Sequence, residues 1–119
     1  MSAETLQILY VGNAMDSQTF KECAEGQGWY VNAANTRLQA LGMFINYFPQ
    51  VVVLNALTDP GLIEEIYEHI RSVDSTPVII LATEWGMVDG ATRVVRPDIP
   101  FSTLTFVIQE LAAIFSLAG

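Results

Sequence analysis

The chain has 119 residues, enough for one domain with its own core and no need of disulfide or metal support. Hydrophobic residues make up 51% of it and charged residues only 15%, which excludes disorder and suits an α/β domain built on a nearly continuous buried sheet. Thirteen Asp and Glu against five Lys and Arg leave a formal charge of −8, so phosphate backbones and anionic lipid surfaces are repelled and direct nucleic-acid binding is disfavoured.

The opening residues, MSAETLQ, carry neither the basic nor the apolar block of a signal peptide, and no apolar run reaches the roughly 18 residues of a membrane span. A soluble, cytoplasmic protein is the expectation. LQILYVG (6–12) reads as a buried strand ending in Gly12. A helix from about Ser17 follows, placing Phe20, Cys23 and Ala24 at i, i+3 and i+4, with Gly26 and Gly28 as its stop. Cys23 has no second cysteine to pair with, which removes internal disulfides and cysteine-cluster metal sites, and it reads as a small buried apolar residue on the helix.

WYVNAAN (29–35) is a second strand. Asn35 or Thr36 then caps a helix carrying Leu38, Leu41, Ile45 and Phe48 on one stripe before Pro49. VVVLN (51–55) is the third strand, and Asp59-Pro60 is a cap followed by a first-turn proline. The next helix buries Leu62, Ile66 and Ile70, with Glu64, Glu65, Glu68 and Arg71 on its outer face. TPVIILAT (76–83) and TRVVRP (92–97) supply the fourth and fifth strands. Ser102 caps a last helix, with Phe101 and Phe106 spaced as a hydrophobic staple.

Five βα units without linker or repeat make residues 1–119 a single domain. The expected fold is a doubly wound, five-stranded parallel sheet covered on both faces, in the flavodoxin-like order 2-1-3-4-5. Ligands bind such sheets outside the carboxyl ends of the strands, where the strand order reverses. Gly12 and Asn13 flank that point on one side and Asn55 on the other.

In order and approximate spacing, ILYVGN, VVVLNA, GLIEEIYEHIRSVDSTPVIILAT and VVRP resemble a response-regulator receiver domain of the chemotaxis (CheY-like) type. The resemblance spans the whole chain and is most specific over residues 61–83. It implies a place in two-component, or phosphorelay, signal transduction. It also implies a phosphoryl group taken on an aspartate ending the third strand, and Mg²⁺ held by an acidic pair after the first. A Ser or Thr ending the fourth strand and a Lys before Pro on the fifth would read that phosphoryl group.

Here the acidic pair falls on Gly12 and Asn13, the acceptor on Asn55, the hydroxyl on Ala82 with Thr83 one residue on, and the lysine on Arg96. Only Arg96 keeps its charge. A neutral amide oxygen does little to offset the dehydration of Mg²⁺, and an amide nitrogen with a delocalised lone pair is no phosphoryl acceptor. The resemblance is thus to a degenerate receiver, or pseudo-receiver, with no phosphotransfer, no other catalysis, no metal and no cofactor. Its vestigial pocket would gather neutral groups around the Arg96 guanidinium, which favours an anion if it favours any ion. Arg96 is either hydrogen-bonded to the Asn55 carbonyl or solvated at the loop edge.

Between Ala82 and Arg96 the chain is about two helical turns shorter than a receiver's, and Gly86 and Gly90 interrupt it, so the fourth helix is one turn or absent. Trp85 and Met87 lie in this connection as a lid or a partner anchor. The last helix, with Leu104, Phe106, Val107, Ile108, Leu111, Ala112, Ile114, Phe115 and Leu117, is apolar on more than one side. That suggests a homodimer using Trp85, Met87, Phe106, Leu111 and Phe115, or a cover supplied within the monomer. His69 reads as a solvated surface residue. Asp16, Asp59, Glu84 and Asp89 read as caps or solvated groups near the carboxyl edge. The expected function is signalling by protein–protein interaction, with an effector, a kinase or an assembly protein as partner. The alternative is a flavodoxin-like module binding a small ligand or nucleotide at the switch point, although GNAMDSQT offers a phosphate one glycine and distant hydroxyls.

Overall fold

The computed structural model describes residues 6–57, 59–86 and 89–118, with side chains as far as Ile114. Short apolar runs alternate with amphipathic segments, and the elements alternate accordingly: β1 (Gln7–Val11), α1 (Ala14–Glu25), β2 (Tyr30–Ala34), α2 (Arg37–Tyr47), β3 (Val51–Asn55), α3 (Pro60–Val73), β4 (Val78–Leu81), β5 (Thr92–Val95) and α4 (Phe101–Ala118). All strand pairs are parallel, in the order β2-β1-β3-β4-β5. The expected five-stranded, doubly wound sheet is therefore present. Its fourth crossover is not a helix: among the described residues, β4 passes to β5 through turn and irregular backbone alone.

The strand period of two divides the core into two layers. Leu9, Val11, Val52, Leu54, Val78 and Ile80 face α2 and α3, joined there by Phe44, Ile63, Ile66, Tyr67 and Ile70. Ile8, Tyr10, Val51, Val53, Ile79 and Leu81 face α1 and α4, joined by Phe20, Ala24, Trp29, Leu104, Ile108 and Leu111. Each large aliphatic side chain buried in this way contributes about 1.5–3 kcal/mol, so a run like VVVL is a principal source of stability.

The caps set where the helices begin. Asn13, not a residue near Ser17, starts α1: its Oδ1 accepts the Asp16 N–H at 2.8 Å and its Nδ2 donates to the Asp16 carboxylate at 2.9 Å. Thr36 caps α2 and Asp59 caps α3, with Pro60 in the first turn. At α4 the carbonyl of Pro100 takes the N–H groups of Thr103 and Leu104. Ser102 accordingly lies inside the helix and is no cap. The proposed staple also fails, because Phe101 packs inward while Phe106 is 67% exposed.

Two further expectations are corrected. On α2 it is Ala40 and Phe44 that face the sheet, and Leu38, Ile45 and Phe48 stand in solvent. Arg71 is not on the outer face of α3. Its guanidinium reaches under the amino ends of β4 and β5, donating to the Thr76 carbonyl at 2.6 Å, the Ala91 carbonyl at 3.1 Å and the Thr92 hydroxyl at 2.9 Å, with Asp89 at 2.6 Å. Its Cζ also lies 5.2 Å from the centre of the Tyr67 ring. Tyr67 bonds Thr92 at 2.7 Å and meets Trp85 edge-on at 5.7 Å. Asp89 thus belongs to the amino edge of the sheet, not the carboxyl edge. In place of a helix, this cluster fastens β5 to α3.

Candidate functional site at the carboxyl edge of the sheet

Asn55 ends β3 with its side chain on the α1/α4 face, in line with Val51 and Val53. On the same face, two strand positions below Gly12, Tyr10 is fully buried. Its ring stacks on Phe20 with centroids 4.8 Å apart and meets Phe101 edge-on at 6.3 Å. A phenol in an apolar layer needs a partner for its hydroxyl. The Asn55 Nδ2 donates to that hydroxyl at 3.1 Å, and the Asn55 Oδ1 accepts the Leu57 N–H at 3.0 Å. Both halves of the amide are used by the fold.

Gly12 has its own reason. A Cβ there would stand 2.8 Å from Tyr10 Cε1 and 3.3 Å from Asn55 Cβ. The Tyr10 ring therefore fills the space that a side chain at position 12 would need. Asn13, beside it, is spent capping α1. The residues present do not fit a Mg²⁺ site: Gly12 brings no donor, and Asn13 and Asn55 bring neutral amides already engaged. Among the described residues no three His, Cys, Asp or Glu side chains come together to hold a metal.

Burial pushes the Tyr10 phenol up to about 12, the Asn55 hydrogen bond opposing the rise and the nearby Asp16 charge adding to it. Below pH 10 the phenol is protonated in both folded and unfolded chains, and its contribution to stability is intact. Between pH 10 and 12 the unfolded chain releases the proton while the folded chain holds it, so this one group lowers stability by about 1.4 kcal/mol per pH unit. Urea midpoints at pH 9 and pH 11 should converge for Tyr10→Phe relative to wild type. An equal alkaline loss in both proteins would assign the effect to other groups.

Arg96 does not enter this pocket. Its side chain is exposed and pairs with Asp98 at 3.2 Å. Neither the bond to Asn55 nor the guanidinium-centred pocket is present, because β5 ends at Val95 and the residue beyond it turns to the nearer charge. Ala82 is buried on the α2/α3 face and Thr83 is exposed. What the edge does enclose is a cleft of about 340 Å³ lined by Val11, Gly12, Asn13, Asn35, Asn55, Asp59, Leu62 and Ile63, among others. Three amides and one carboxylate give it no cation.

Of the residues expected at an interface, Trp85 is half-buried against Tyr67. Leu111, on the inner side of α4, is buried within this chain in the layer it shares with Leu104 and Ile108. Phe106 is exposed, and Met87 and the Phe115 side chain lie outside the described residues. Sequence reasoning missed Tyr10. The available signal was a tyrosine inside an otherwise aliphatic strand, sharing a face with a glycine two residues on. No described helix is long and apolar enough to cross a membrane.

A parallel 2-1-3-4-5 sheet whose β1 and β3 carboxyl ends frame the central cleft is the CheY-like receiver fold, and this chain has that fold. It is similar to a CheY-like response regulator receiver domain from Methanospirillum hungatei, at 15% identity and TM-score 0.84 over 98% of this chain and 100% of that one. It is similar also to chemotaxis response regulator CheY4 of Vibrio cholerae (19% identity, TM-score 0.76, 91% and 99%). A third is the signal receiver domain of a Luxo repressor protein from Vibrio parahaemolyticus (19%, 0.80, 97% and 95%). No protein-family model matches the chain, and a search of curated proteins finds no match.

Proposed function

We propose that this domain is a receiver-like signalling module that is not phosphorylated and acts by binding other proteins. The observation that carries the reading is the engagement of Asn55: at the position a receiver gives to its phosphoacceptor, an uncharged amide is held between Tyr10 and Leu57. Gly12, Asn13 and Asn55 together replace three carboxylates by none, which removes both nucleophile and metal ligands. Signalling then depends on which surfaces the fixed fold presents. Incubation with acetyl phosphate and Mg²⁺ should leave the intact mass unchanged. A stable phosphoryl adduct would overturn the reading.

The partner surface we assign is the outer face of α4. Phe106 and Ile114 are 67% and 52% exposed, two turns apart, with Glu110 between them. Glu110 lies 3.8 Å from Arg93 in an exposed pair, which contributes little. A partner with a basic side chain between two apolar ones fits this face.

A second reading is supported by the cleft itself. Its lining favours a small neutral ligand over a nucleotide, since the Gly12 N–H is bonded to the Ala34 carbonyl at 3.1 Å and is not free to cradle a phosphate. Flavin or nucleotide added in excess should leave the unfolding midpoint unmoved. A concentration-dependent rise would show that the cleft takes a phosphate-bearing ligand, against the argument from its lining.

A further inference from the structure

The surface of α2 contains three choices that the monomer does not explain. Leu38 is 83% exposed, Ile45 56% and Phe48 80%, although their spacing marks them as an apolar stripe. Gly42 lies within that stripe, where a Cβ would meet nothing within 4 Å. Glycine in a helix interior costs stability relative to alanine, and nothing packed against Gly42 in this chain requires it. Phe48 closes α2 in the left-handed region at φ 48°, the one non-glycine residue with positive φ among those described. Glycine or asparagine takes that conformation at less cost, and the phenyl ring gains little burial in return. Backbone strain that yields nothing within the fold points to use outside it.

We propose that α2 is a self-association surface, on which two copies of this chain pair through a two-fold axis near Leu41 and Gly42. Two features select a second copy as occupant. The first is symmetry. Leu38, Leu41, Gly42 and Ile45 stand at i, i+3, i+4 and i+7, so an antiparallel two-fold crossing centred between Leu41 and Gly42 sets Leu38 of one copy against Ile45 of the other. Gly42 lets the two backbones approach, and the pairing closes on itself as a two-fold interface must. Phe48, just beyond the helix, covers each end.

The second feature is charge. The chain carries thirteen acidic residues, yet none lies between Glu25 and Asp59, where Arg37 is the only charged residue. Arg37 is already beside Glu65, at 3.7 Å. Two copies with a formal charge of −8 each can therefore meet through α2 without setting carboxylates from that segment against one another. On α4, by contrast, a two-fold contact would bring Glu110 towards its own copy. Size is adequate as well. Leu38, Ile45 and Phe48, with the exposed part of Leu41, offer roughly 400–500 Å² per copy, in the range of a weak, concentration-dependent dimer.

The experiment is sedimentation velocity of the full chain across a wide concentration range. Wild type is expected to pass from monomer to dimer. Leu38→Glu should weaken the dimer by at least about tenfold, the effect of losing one well-packed anchor. Phe48→Gly and Gly42→Ala separate the proposal from mere damage to the fold, since each should raise the unfolding midpoint of the monomer while weakening association. Phe106→Glu should leave the dimer intact. A wild type that stays monomeric throughout would overturn the proposal, as would a dimer lost with Phe106→Glu and kept with Leu38→Glu. Phosphoryl uptake in the acetyl phosphate test would overturn the signalling reading and leave this one standing.

Discussion

Gly12→Asp, the first step towards rebuilding an acidic pair, is expected to destabilise the domain by about 2–4 kcal/mol and to restore no chemistry. Any side chain at position 12 collides with Tyr10, whose Cε1 stands 2.8 Å from where the Cβ would lie. The ring has no room to withdraw, because Phe20 and Phe101 pack against it and it is fully buried. The carboxylate would also abut an aromatic layer in place of water. Urea denaturation measures the loss. In a Tyr10→Val background the same substitution should cost markedly less, since the obstruction is gone. Equal costs in the two backgrounds would show that Tyr10 is not what keeps position 12 a glycine.

Arg71→Met should be the most damaging single exchange at the opposite edge, at about 3–4 kcal/mol. Methionine keeps most of the aliphatic stem but leaves the Thr76 and Ala91 carbonyls and the Thr92 hydroxyl without the donor they share. Hydrogen exchange should accelerate first in β5, which has no helix of its own on that face. If β5 amides keep their protection while the α3 amides lose theirs, the guanidinium stabilises the helix and not the strand. Acid should act on the same cluster. Burial tends to raise the Asp89 carboxyl, but hydrogen bonds from Thr92, Ala91 and Arg71, with the Arg71 charge, outweigh it and hold it below the ordinary aspartate value. A lowered folded value means that the contribution is present above the unfolded aspartate's range and is lost as pH falls through it towards the folded value. Asp89→Asn should flatten that part of the acid unfolding curve.

The strands and their order were legible because a buried parallel sheet needs apolar runs of about five residues, and only a few topologies connect them through helices. The side chains that decide the pocket were much less so. Asn55 and Gly12 could be placed at the switch point from spacing alone, but the hydroxyl that occupies Asn55 comes from Tyr10, 45 positions away along the chain. Arg96 was misjudged for a related reason: a strand position fixes a Cα, whereas the guanidinium goes to the closest carboxylate, here Asp98. On α2 the periodicity was real but identified the wrong face. An apolar stripe shows that a surface avoids water without naming what covers it, and Ala40 and Phe44 had already taken the sheet. Arg71 was read as an outer residue because amphipathic patterns count charges and ignore the reach of a long stem.

The two tryptophans fall one to each side of the sheet, Trp29 in the layer under α1 and α4, Trp85 against the layer under α2 and α3. The chain has no others. It therefore carries one optical reporter per layer. Trp85→Phe leaves a protein whose emission follows only the α1/α4 side, and Trp29→Phe one that follows only the α2/α3 side. Comparing their unfolding curves would show whether the side that lacks a helix over β5 melts with its neighbour or ahead of it.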